Sequence, residues 1–174
     1  MKTVALLALT LVALIPLSGV ANDALVKFEG GVGVHPVSNV AGTPNVDGSF
    51  PNVTRNIVRG VNPAGQIWVI TDLRAKIEVD GSIKVDGRGL RLAGGNAIGT
   101  NANASVFATL ICEAAAPFVE RNTNLPGVPL APNGDFRIDD ILSPAPNGCA
   151  SPVLLIRSAG NRTWFAAGFS KLED

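Results

Sequence analysis

The run from Ile67 to Val79 constrains the fold more than any other stretch. Its odd positions read Ile, Val, Thr, Leu, Ala, Ile, Val, while the even positions from Asp72 onward are charged. Side chains of an extended strand alternate between two faces, so this pattern describes a strand with one face against a core and the other toward water. Trp68 and Ile70 interrupt the polar face and imply that the early end is covered on both sides. At the usual rise the run would reach about 43 Å, long for one strand of a small domain, and a bend or bulge between Thr71 and Ala75 is expected.

Asp80-Gly81 follows, a dipeptide suited to a tight hairpin. A two-residue loop would set Val79 opposite Ser82, whereas a three-residue loop of Asp80, Gly81 and Ser82 sets Val79 opposite Ile83 and Ile77 opposite Val85. The second register keeps apolar side chains on one face and is the one predicted. Beyond Val85 the alternation slips through Asp86-Gly87-Arg88-Gly89, which marks a bulge or turn. The Gly-x-Gly there is no dinucleotide fingerprint, because that motif has a third glycine and opens a helix.

Other strand-sized runs follow the same logic. Ala24 to Val34 reads as a first strand with an irregularity at Gly30-Gly31, and Thr54 to Val61 as a short one. Ser105 to Glu113 is apolar on both faces and belongs in the middle of a covered sheet. Gly134 to Asp139 places Phe136 and Ile138 inward; its GDFRI is similar to strands of transthyretin-like sandwich modules, over too few residues to assign a family. Val153 to Ile156 and Trp164 to Phe169 read as a hairpin, and Ser38 to Asn52, rich in turn formers, as a long surface loop. With no amphipathic helical run of three turns, these segments predict an all-β, antiparallel two-layer β-sandwich, with a partly closed β-barrel as the alternative.

The amino terminus has a different character. Met1-Lys2, an apolar run from Val4 to Leu17 and the small residues Ser18 to Ala21 match a secretory signal peptide, residues 1–21, too short for a stable membrane span. Residues 22–174 then form a single secreted β domain, extracellular or in the cell envelope, without an integral membrane segment. Acidic and basic side chains number 14 each over the whole chain. That balance disfavours nucleic acid as a partner. Export makes a disulfide the expected state of Cys112 and Cys149, the two cysteines of the chain.

Chemistry is sparsely encoded. His35 is the one histidine, with no second metal ligand spaced to join it, so no metal or cofactor is expected. A Ser-His-acid triad has no credible members, and GxSxG does not occur. Asp139-Asp140 is a paired acid that would suit glycosidase chemistry only if both carboxyls faced one cleft. Trp68 and Trp164 would stack on sugar rings only if exposed together. These four residues are the candidate ligand-contact surface. The reading is a non-catalytic structural or interaction domain, envelope-associated or protein-binding, whose partner is a protein or a polysaccharide; a carbohydrate-binding module is the alternative and a small secreted hydrolase the third.

Overall fold

The computed structural model describes residues 24–171, and the expected signal segment lies outside them. Within that range the chain is all-β with no helix. Its strands are β1 (Ala24–Gly33), β2 (Val37–Ala41), β3 (Asn52–Arg55), β4 (Trp68–Val69), β5 (Asp72–Glu78), β6 (Ser82–Arg88) and β7 (Arg91–Leu92). They continue as β8 (Ser105–Ile111), β9 (Arg121–Asn122), β10 (Val128–Pro129), β11 (Phe136–Ile141), β12 (Val153–Ser158) and β13 (Trp164–Ser170). Nine of them form one sheet in the order β10-β8-β12-β13-β1-β5-β6-β11, with β9 also on β8, and all these pairings are antiparallel.

The sheet curls until its ends meet, so the antiparallel all-β fold takes the nearly closed, barrel-like form. Across the seam Asn122 and Ser143 exchange backbone hydrogen bonds of 2.9 and 2.8 Å. Beside them the Asn124 amide donates to Asp140 Oδ2 at 2.7 Å. Closing the sheet removes the unpaired edges that an open one would expose.

One core fills the interior, and the alternation of the sequence explains its composition. Leu73 and Ile77 of β5 and Ile83 and Val85 of β6 meet Val106 and Leu110 of β8 and Leu154 and Ile156 of β12. Each is almost fully buried, and each large aliphatic so placed stabilises the fold by about 1.5–3 kcal/mol before the entropy of ordering is counted. Phe136 and Ile138 point inward as their spacing predicts. β8 lies between β12 on one side and β9 and β10 on the other, the central position its two apolar faces require. The bond between Cys112 and Cys149 forms, and it anchors the end of β8 to the segment before β12.

Four local expectations are corrected. The β5–β6 loop has three residues, but they are Val79, Asp80 and Gly81: Ile77 faces Ile83 and Ala75 faces Val85. Apolar pairing is kept, two residues away from the predicted register. The Gly81 amide donates to Glu78 O at 3.0 Å, Gly81 takes φ 89°, and Asp80 Oδ1 accepts from the Ser82 amide at 2.8 Å. The turn thus uses glycine in its last, left-handed position, and Val79 is left 53% exposed.

The long alternating run is also two strands, broken at Ile70-Thr71, just before the window foreseen. Inward parity flips there: Trp68 is buried while Ile67 and Val69 are exposed. The indole has more apolar area to bury than either aliphatic, and β4 leaves the barrel to pair with β7. Gly89, at φ 65°, packs where a Cβ would collide with the Thr71 side chain, so this corner needs glycine.

Finally, residues 38–52 are no mere loop. β2 and β3 pair as a separate two-stranded ribbon, with Val40 opposite Val53. Its tip is fastened by Asp47 Oδ1, which accepts from the Ser49 amide at 2.9 Å and hydroxyl at 2.6 Å. The expected strand 54–61 ends at Arg55, and Arg59-Gly60, both at positive φ, turn the chain between Val58 and Val61.

Candidate binding surfaces

The four candidate contact residues do not form a common surface. Trp68 is 4% and Trp164 2% exposed. Trp68 stacks on Phe165 with ring centroids 4.0 Å apart, and Trp164 Nε1 donates to Asn56 O at 3.0 Å. Both indoles therefore fill core volume with the polar N–H of Trp164 satisfied, and offer no platform to a sugar ring. Asp139 lies on the outer face of the barrel beside Lys84, at 3.6 Å. Asp140 turns to the seam, where Asn124 and Ile141 amides donate to it. The two carboxylates line different grooves. His35 is exposed, and among the described residues no group of three His, Cys, Asp or Glu side chains is placed to hold a metal.

The outer surface of the barrel has two contrasting halves. Over β8 and β12 it carries Phe107, Thr109, Leu155 and Arg157, all buried. Arg157 donates to Glu120 Oε2 at 2.6 Å and to Arg162 O at 2.8 Å, and its guanidinium lies 5.3 Å from the Phe107 ring centre. Thr109 Oγ1 donates to Asn122 Oδ1 at 2.6 Å. The covering segment is pinned by Arg121, which donates to Glu113 Oε1 at 2.9 Å, and by Arg59, which donates to Glu113 O and to Ser151. The Arg121 hydrogen bond, helped by the Val119 amide, holds the Glu113 carboxyl down at about 2 from an ordinary 4.5.

Over β1, β5, β6 and β11 most outward positions among the described residues are charged, and they are exposed or half-buried. Register fixes their arrangement. One row across the four strands reads Glu29, Arg74, Asp86, Arg137, with signs alternating. The next reads Lys27, Lys76, Lys84, Asp139. Asp86 is the hub of the first row: a hydrogen bond from Arg137, at 2.8 Å, and a second from Arg88 hold its carboxyl below the usual range. A shallow groove of about 440 Å³ runs over both rows.

The β2–β3 ribbon is the third surface. Every residue of both strands is exposed, and Val40 and Val53 share one face at 44% and 54% exposure. Among the described residues neither strand pairs with anything but the other. Sequence reasoning missed the ribbon because its valines are scattered among Asn, Gly and Pro, and missed the lysine row because the three residues are far apart in the chain and meet only through register.

The fold and its surfaces thus define a small disulfide-bonded β-barrel with a projecting ribbon. Compared with family models, curated proteins and solved structures, the chain matches none.

Proposed function

We propose that this protein is a secreted, non-catalytic interaction domain that works by surface contact with a protein partner in the cell envelope or outside the cell. The observation that carries the reading is the β2–β3 ribbon. A two-stranded ribbon has little stability of its own, yet this one presents Val40 and Val53 to solvent and, among the described residues, leaves both outer edges unpaired. Unpaired edges and exposed valines are what a partner strand or an apolar patch engages. The divergence of Asp139 and Asp140 supports a non-catalytic reading over a hydrolase, and the burial of both tryptophans removes the aromatic basis for a stacking carbohydrate module. Export is supported by the apolar amino-terminal run and by the disulfide.

The test is a double substitution, Val40→Asp with Val53→Asp, in the mature oxidised chain. Chemical cross-linking on the native surface or in the native secretion should trap a discrete complex with wild type and lose it with the variant, while melting temperature stays the same. Undiminished cross-linking of the variant would overturn the reading.

A further inference from the structure

Asn-Gly occurs twice in the chain, both times within the same tetrapeptide: Ala131-Pro132-Asn133-Gly134 and Ala145-Pro146-Asn147-Gly148. Asparagine is a labile side chain, most of all before glycine, whose missing Cβ leaves the following amide nitrogen free to reach it. The glycine backbone is left-handed in both copies, φ 82° at Gly134 and 78° at Gly148. Sequence and glycine conformation are thus matched, and the copies differ in what holds them.

The first copy is locked. Asn133 Nδ2 donates to Asp135 Oδ2 at 2.8 Å, and Asn133 Oδ1 accepts from the Asp135 amide at 3.2 Å. The Gly134 amide donates to Ala131 O at 2.8 Å, and Gly134 is buried against Leu90, whose own amide donates to Gly134 O at 2.9 Å. The second copy is open. Asn147 and Gly148 are both exposed, and no atom lies within 4 Å of where a Cβ on Gly148 would stand. Among the described residues no hydrogen bond holds the Asn147 side chain or the Gly148 amide. Pro146 is buried beside Gly81 and Cys149 is bonded to Cys112, so the open pair is held out between two anchors.

From that contrast we propose that Asn147 is a site of spontaneous deamidation in the folded protein and that Asn133 is not. The Gly148 amide nitrogen gives up its proton to base and attacks Asn147 Cγ. The new C–N bond closes a succinimide ring, the Cγ–Nδ2 bond breaks, and the side-chain nitrogen leaves as ammonia. Water then opens the ring at either carbonyl, to aspartate or to isoaspartate. Both products carry a new carboxylate, and isoaspartate also lengthens the backbone by a methylene shortly before Cys149. The reaction needs only water and base, and the site stands whether or not the ribbon binds a partner.

Peptide mapping by mass spectrometry tests it, on the mature oxidised chain incubated at mildly alkaline pH. Trypsin cuts at Arg137, which puts the two asparagines on separate peptides. Hydrogen bonds on both the side chain and the attacking amide must open before Asn133 reacts, so aspartate and isoaspartate should accumulate at Asn147 at least about tenfold faster. In the reduced chain unfolded in urea the two should react at similar rates, because the reacting residues and those before them match. Asn147→Gln should remove most of the acidic drift that wild type shows on ion exchange. Comparable rates at the two sites in the folded chain, no isoaspartate at Asn147, the same bias in the unfolded chain, or undiminished drift in the variant would overturn the proposal.

Discussion

The outer faces of β8–β12 and of β5–β6 belong to one sheet and are treated in opposite ways. On β8 and β12 the outward residues are Phe107, Thr109, Leu155 and Arg157, all of them buried, with Arg162 over the Phe107 ring and Glu120 paired with Arg157. On β5 and β6 the outward residues are Arg74, Lys76, Lys84 and Asp86, and the chain leaves them to solvent. The difference lies in composition: apolar outward positions lose free energy in water and demand a cover, whereas charged ones demand hydration. Covering a face also buries whatever polar groups lie on it, so Arg157 and Thr109 need partners, and they have them. The bare face keeps its charges in contact with water, where they pair with one another at the surface.

Substitutions should therefore cost more stability on the covered side than on the bare side. The largest effect is expected for Cys112→Ser with Cys149→Ser, because the bond closes a loop over a separation of 37 residues. Chain entropy puts its worth at about 4 kcal/mol, an upper figure, read as a lowered denaturation midpoint. Arg157→Met comes next. Its guanidinium is buried, but Glu120 can rehydrate because it is 43% exposed, so the loss should be about 2 kcal/mol by the same measurement.

A smaller, pH-dependent effect belongs to Glu113. Its folded value lies below its ordinary 4.5, so the contribution is fully present above about pH 4.5 and is lost as pH falls toward 2. Glu113→Gln should flatten that acid limb of the stability curve, measured by melting temperature from pH 7 to pH 2. An unchanged acid limb would remove Glu113 from the account. Smallest of all, Lys84→Gln on the bare face should change stability by no more than about 0.5 kcal/mol. A larger loss would mean that the row is structural.

The sequence carried the core more clearly than the surface. Alternation at Leu73, Ala75 and Ile77, the doubly apolar Ser105 to Ile111 run, and Phe136 with Ile138 all point where their patterns say, because burial acts on each residue in place. Register was less legible: Asp80-Gly81 suits several hairpins, and the choice among them depended on Gly81 taking the last turn position. Trp68 reversed the parity of β4 because one large ring outweighed Ile67 and Val69. Site residues were least legible of all. Trp68 and Trp164 were singled out by type, and the core claimed them; the lysine row was invisible because strands distant in sequence assemble it.

Paired denaturation midpoints of Arg157→Met and Lys84→Gln in the folded mature chain compare the two faces most directly. Arg157→Met should cost about 2 kcal/mol and Lys84→Gln no more than about 0.5 kcal/mol. Equal losses from the two, or a larger one from Lys84→Gln, would contradict the division of the barrel into a covered structural side and a bare, hydrated side.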